Sequence, residues 1–356
     1  MAIGERIKLA RQRAGLSLRD LAEGAQVSAQ AISKYERGLD TPSSGVLLRL
    51  SRATGVTTEF FLRPRQLGEL RADFRKLSAF PKREQDSLLA RVRDWLERYL
   101  EAEDILGLPA DGPDLPDGFP LPVAGFDEIE AGAERLREGW DLGLDPIERL
   151  TETLEEHGIK VEFLEAPRGF DACALRSGDL SSPVAIAVNE SIPGDRQRFT
   201  IAHEVGHLVL DPQPGFDAER ACHRFAAAFL VPRAMALTEL GPRRTTLDPF
   251  ELHLLKDKYG ISMQAWIYRA KDLGVLPEAS AARLFQHFRM RNWHRTEPWN
   301  AYPQESTERL QRLVLHALAE DIISDTRAAE LLGTTRETFR AVAERAHQEG
   351  SAEMGR

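Results

Sequence analysis

Cysteine is scarce in this chain: Cys173 and Cys222 are the two present in 356 residues. Two thiols cannot build a disulfide framework, which excludes the small cross-linked secreted class and makes a reducing cytoplasm the expected compartment. Long apolar runs are missing too; none approaches the ~18 residues that a membrane-spanning helix requires. The opening residues, Met1-Ala2-Ile3-Gly4-Glu5-Arg6, do not begin an apolar leader, so no membrane partner is expected. Excess positive charge is also lacking. The net charge is −9, which argues against a protein that meets nucleic acid over its whole surface. Hydrophobic residues make up 42% and charged residues 29%, a soluble globular composition with chain enough for two or three domains.

The acidic balance is uneven. Residues 1–65 hold eleven Lys and Arg against six Asp and Glu, a net +5 that leaves −14 for the remainder. A basic head on an acidic body directs nucleic acid to the head. There the pattern predicts five short helices. The first ends at Gly15; Ser17 caps a second over Leu18–Glu23; Ser28 caps a third over Ala29–Arg37, which stops at Gly38. Two more run through Val46–Ala53 and Thr57–Phe61. Two short helices joined by a tight turn form a helix-turn-helix, whose second helix enters the major groove.

The head resembles the Xre family of DNA-binding domains. The likeness is carried by Ile7-Lys8-Leu9-Ala10-Arg11, Gly15-Leu16-Ser17, Leu21-Ala22, Val27-Ser28, Ile32-Ser33-Lys34-Tyr35-Glu36-Arg37-Gly38, Pro42 and Leu47. It implies that Ala29, Gln30, Ser33 and Lys34 face the groove, with Gln30 as the base reader because its amide pairs bidentately with adenine. It implies phosphate contacts from Ser17 and Arg37. It also implies a homodimer on a palindromic, double-stranded operator. Leu18 stands where relatives often have glutamine, which removes one phosphate contact.

Beyond the head, Leu88, Leu89, Val92, Trp95, Leu96, Tyr99 and Leu100 recur at helical spacing from about Pro81. That stripe packs either on the following domain or on a second chain. Residues 107–122 are rich in proline and aspartate and are expected to be an extended spacer, and a candidate cleavage site. From about Gly125 the pattern becomes α+β: helices over Ala131–Gly139 and from Pro146 to Gly158, then strands at Ile159–Phe163, Ala172–Arg176 and Val184–Asn189.

A helix from about Gln197 carries His203-Glu204-Val205-Gly206-His207. Positions i and i+4 share a helix face, so both imidazoles can hold one zinc ion while Glu204 serves as general base. Glu219, twelve positions past His207 across a Pro/Gly-containing loop, is the candidate third ligand. Two histidines and a glutamate leave a coordination place open, as catalytic zinc sites do. Imidazole and carboxylate suit zinc best, with manganese as the alternative. Tyr259, Tyr268 and His253 are candidate oxyanion donors. Cys173, on a strand before the metal helix, is a candidate inhibitory thiolate ligand; the alternative is a buried apolar residue.

The body resembles the ImmA/IrrE-type metallopeptidases over roughly residues 130–275. The likeness rests on Arg198-Phe199-Thr200-Ile201-Ala202-His203-Glu204-Val205-Gly206-His207-Leu208, on Phe225–Pro232, and on Tyr259-Gly260-Ile261-Ser262-Met263-Gln264-Ala265. It implies a zincin-like fold, metal on His203, His207 and Glu219, and a repressor as substrate when the cell meets DNA damage or foreign DNA. Single-stranded DNA is then a candidate inducer. Relatives usually place Asn or Asp where His223 stands; His223 either orients a ligand by hydrogen bonding or competes as a fourth one. After the aromatic connector at Trp293–Trp299, the tail from Leu310 reads as helices, with a minimal helix-turn-helix pattern over Ser324–Leu332, Gly333 and Thr334–Val342, expected to dock on the body or on a partner.

The expected organisation is multidomain: an all-α helix-turn-helix head (1–65), a connector (66–124), an α+β zincin-like body (125–280) and a helical C-terminal region (281–356). The expected function is a DNA-binding regulator with a zinc endopeptidase that cleaves a repressor or itself. The alternative is a non-proteolytic regulator or antitoxin whose body senses a ligand or partner.

Overall fold

The computed structural model describes residues 3–63, 67, 70–72, 80–109, 112–176, 178 and 181–341. They fall into two compact units, one joining Met1–Ala110 to Glu308–Arg356, the other spanning Asp111–Thr307. The middle of the chain is thus an insertion into a unit built from both ends.

The head contains α1 (Ile3–Arg13), α2 (Leu18–Ala25), α3 (Ala29–Glu36), α4 (Ser44–Thr54) and a 3₁₀ turn over Glu59–Leu62. Its caps are those the sequence predicts. The Ser17 hydroxyl accepts the Asp20 N–H at 3.2 Å, while the Asp20 carboxylate accepts the Ser17 N–H at 2.8 Å. Ser28 caps α3 through the Ala31 N–H. Each such cap stabilises its helix by about 1 kcal/mol. Ile7, Leu21, Ile32, Leu50 and Phe60 fill the small core. The Arg11 guanidinium forks onto both oxygens of Glu36, at 2.6 and 3.0 Å, and fixes α1 against α3.

The predicted long helix is α5 (Lys82–Ile105), with Pro81 at its N-cap. Its Ala90 joins the head core. It also carries buried charge: Glu97 pairs with Arg6, and Asp94 with Arg63 at 2.9 Å.

The inserted unit opens with the proline- and aspartate-rich stretch, and this segment is no free spacer. Trp140 donates its indole N–H to the Asp114 carbonyl at 2.8 Å, and the Asp114 N–H bonds His157 at 2.9 Å. Strand β1 (Leu121–Val123) then pairs in parallel with β5 (Leu210–Pro212). Composition suggested a spacer because proline and aspartate rarely build cores. Here Leu115 and Phe119, among those prolines, pack onto the body.

Next come α6 (Phe126–Gly139) and α7 (Leu150–Glu156), then strands β2 (Ile159–Leu164), β3 (Ala172–Arg176) and β4 (Val184–Asn189). β4 runs parallel to β2 and antiparallel to β3. All six residues of β4 are buried, as befits an apolar strand covered on both faces. Helices α8 (Gly194–Val209), α9 (Ala218–Leu230), α10 (Arg233–Leu240), α11 (Pro249–Tyr259), α12 (Met263–Asp272) and α13 (Glu278–Met290) complete the unit. In its interior Glu130 of α6 meets Arg224 of α9 and both terminal nitrogens of the Arg269 guanidinium of α12. Arg137 donates to the Phe229 carbonyl at the end of α9 at 2.7 Å.

The tail helices α14 (Arg309–Ala319) and α15 (Asp325–Leu331) return to the first unit. Val314, Ala328, Ala329 and Leu331 close on Ala102 and Ile105 of α5. Arg98 donates to the Leu331 carbonyl at 2.7 Å, and Arg63 reaches Glu330 at 2.9 Å. The apolar side of the tail therefore meets the connector helix. The expected end of its last helix, Val342, lies outside the described residues.

Removing the Glu130 carboxylate takes the paired charge from the fully buried Arg269 and leaves Arg224 with Asp272, 3.2 Å away, so Glu130→Ala should cost about 3 kcal/mol in urea unfolding at neutral pH. The same site sets an acid limit. Burial pushes the Glu130 carboxyl up, but hydrogen bonds and charge from Arg269 and Arg224 bring it below its ordinary value of 4.5. Its contribution is complete above that value and fades as pH falls through the lower native pKa. Acid titration of Glu130→Gln should show a correspondingly weaker dependence on pH.

Candidate metal centre

Helix α8 begins three residues earlier than its apolar pattern suggests, at Gly194, with Pro193 as N-cap. Pro193 follows the turn after β4 and its carbonyl accepts the Gln197 N–H at 2.8 Å. One turn before the first histidine, the almost fully buried Arg198 pairs with Glu305. Glu305 also accepts from the Thr151 hydroxyl at 3.0 Å, and its own N–H bonds Gln197 at 3.0 Å. Lys256 meets Asp195 at 3.3 Å and Glu297 at 2.9 Å. The irregular segment 297–307 is thus a strap that fixes the start of the metal helix. The sequence shows no periodicity there, and these partners lie between 41 and 154 residues away.

From that anchored start, His203 and His207 fall on one face, with their Nε2 atoms 3.2 Å apart. The Glu219 carboxylate bridges the pair, with Oε2 at 3.3 Å from His203 Nε2 and Oε1 at 3.4 Å from His207 Nε2. Ligand atoms about 2.0–2.1 Å from a tetrahedral zinc stand about 3.3–3.4 Å apart. The donor set therefore fits a small divalent ion in both chemistry and spacing. Two groups of donors are formed among the described residues: His203, Glu204 and His207, and His203, Glu219 and His223.

Glu219 reaches the histidines because α9 lies close against α8. Gly206 allows this: a Cβ there would stand 3.1–3.3 Å from the Cα, Cβ and Sγ of Cys222. Asp217 caps α9 through the Arg220 N–H at 3.1 Å, which places Glu219 in the first turn, at the end nearer His207. Glu204 is fully buried, and its Oε2 accepts the Ala174 N–H of β3 at 2.8 Å.

The remaining candidates are distributed as follows. Cys173 is buried on β3, its thiol 3.4 Å from the Ala174 carbonyl, and it belongs to neither donor group. Tyr259 donates its hydroxyl to Glu239 at 2.9 Å and is held protonated far above its ordinary range by burial and by that carboxylate. His253 stacks on Trp299, and Tyr268 lies against Phe285. Each of these three contacts is with a residue outside the two donor groups. In the head, Gln30, Lys34 and Arg37 are exposed; Ser33 and Ser17 are half-buried; Ala29 packs partly on the core. The Arg37 guanidinium also donates to the Ser33 carbonyl at 3.1 Å.

Residues 7–61 match the helix-turn-helix family, and residues 154–271 match the IrrE N-terminal-like domain. The second match spans the whole donor set. The chain is 37% identical over 62 residues to the HTH-type transcriptional regulator ImmR of Bacillus subtilis, covering 17% of this chain and 49% of that protein; it therefore spans about half the length of that relative. It is 32% identical over 129 residues to the HTH-type transcriptional regulator DdrOP3 of Deinococcus deserti, covering 30% of this chain and 99% of that protein.

A methyl group at position 206 must push α9 outward by a few tenths of an ångström. Gly206→Ala should weaken zinc binding several-fold in a chelator competition titration while far-ultraviolet circular dichroism is unchanged. Equal zinc affinity would mean that the helix spacing does not control the site.

Proposed function

We propose, for a chain that belongs to the helix-turn-helix transcriptional regulators and carries an IrrE N-terminal-like domain, that its body is a metal-dependent endopeptidase serving the regulator. One observation supports this above all. A buried carboxylate, Glu204, sits beside the two histidines, His203 and His207, whose facing nitrogens and the Glu219 carboxylate lie at metal-ligand spacing. A structural metal needs the donors but has no use for Glu204. The ion expected is zinc, with manganese as the alternative, and when bound it supplies Lewis-acid charge that polarises a carbonyl and makes water acidic near neutral pH.

The chain's own residues do the rest. Glu204 accepts the proton of the attacking water and returns it to the leaving amine. The Ala174 N–H fixes one oxygen of that carboxylate, so its direction is set before substrate arrives. The strap on Arg198 holds the helix register on which both histidines depend. The substrate we infer is a repressor or this chain itself, because a regulator head and a peptidase-like body occupy one polypeptide. Stress such as DNA damage or foreign DNA, with single-stranded DNA as inducer, completes the reading. So do a reducing cytoplasm and a homodimer on operator DNA.

The test is intact mass over time for the zinc-loaded protein, with and without single-stranded DNA, beside Glu204→Gln. Fragments are expected from the wild type alone, with zinc and operator binding intact in the variant. Fragments from both would sink the assignment of Glu204. On the DNA side, Gln30→Ala should cost about 1–3 kcal/mol on the preferred operator and relax specificity at one base. Arg37→Ala should weaken binding to all duplexes alike and lower the salt slope by about one unit. Operators selected from random duplexes supply the comparison.

A further inference from the structure

Glu219 and His223 stand four residues apart on α9, as His203 and His207 do on α8. Each pair shares one helix face, and the two helices turn those faces toward each other across Gly206. The His223 ring centroid is 4.5 Å from that of His203. A ring nitrogen of His223 lies within 4.8 Å of donor atoms of both His203 and Glu219. Phe199, one turn before His203, stacks on the outer side of the His223 ring with centroids 5.9 Å apart. His223 is exposed to solvent, whereas His203 is buried.

We infer that His223 is a fourth, removable protein donor, which closes the metal's open place in the resting chain. This rests on the metal-peptidase reading above and adds its regulation. Three arguments lead to it. A carboxylate or amide at this position accepts a hydrogen bond from an imidazole N–H and so orients a ligand; a neutral imidazole is itself a metal donor. Two pairs at i, i+4 spacing from facing helices supply four donors, and four protein donors are the mark of a closed site. Finally, exposure makes the donor removable. Water replaces its partners when it swings away on Phe199, whereas buried His203 has no such route. Closing the site removes the place where water and substrate carbonyl enter, so the chain is latent until His223 leaves.

The test uses the full chain loaded with zinc or cobalt(II). X-ray absorption at the zinc edge counts imidazoles directly; three are expected in the wild type and two in His223→Asn. Azide, a small anion that needs an open coordination place, is then titrated into the cobalt-loaded proteins by visible absorption. An apparent affinity scales with the fraction of open sites, so azide should bind at least about tenfold more tightly to His223→Asn. Two imidazoles in the wild type, or equal azide affinity in both proteins, would overturn the inference and leave the three-donor reading standing. A wild type that takes up no zinc would instead overturn the metal reading itself. The imidazole count of the wild type requires no variant, so a poorly folding His223→Asn does not rescue the proposal.

Discussion

The close approach of α8 and α9 is the constraint on which the site depends. Donors drawn from two helices keep a fixed separation only if the helix axes do, and here a residue without a side chain sets that distance. Gly206 lies between Glu204 and His207, so the backbone of α9 rests on the stretch that carries the candidate donors. Glu219 and His223 reach the histidines as a consequence, and Cys222 fills the contact between them. The glycine in the helix is intrinsically unfavourable, by roughly 1 kcal/mol against alanine, and its place is explained by what it lets approach.

Buried ion pairs recur wherever distant segments must be held in one arrangement. Arg198 with Glu305, Glu130 with Arg224 and Arg269, and Arg6 with Glu97 each join residues some ninety or more positions apart. Such pairs add little net stability over apolar packing, because desolvation offsets the attraction, yet any other arrangement leaves a charge buried alone. They act as selectors of register. In the strap, Glu305 accepts from Arg198 and from Thr151 together, so α7, α8 and the 297–307 segment hold only one mutual position.

Much of this was legible in the amino-acid sequence where the signal is local. The spacing of His203 and His207, the serines at positions 17 and 28, and the alternation or apolar density of residues 159–163, 172–176 and 184–189 depend on neighbours within a few residues, and the corresponding elements form where expected. Glu219 was reachable because a Pro- and Gly-containing loop limits where the next helix begins, and it meets both histidines. What escaped depends on distant pairing. Nothing near Glu305 or Glu297 announces Arg198 or Lys256. The 112–122 segment has a spacer's composition, and its ordering comes from Trp140, His157 and β5 far along the chain. The tail's apolar residues marked a helix but not its partner, which is α5.

The insertion has a consequence for what a nick would do. The first unit is assembled from residues before and after the insertion, and its tail is fastened to α5 by an apolar cluster and by Arg98 and Arg309, and to Arg63 through Glu330. Severing the backbone where the chain passes between units leaves the two pieces locked like halves of a clasp. Separation would then follow the undocking of α14 and α15 from α5, so how long the two pieces stay together is a property of the tail's grip and not of the break in the backbone.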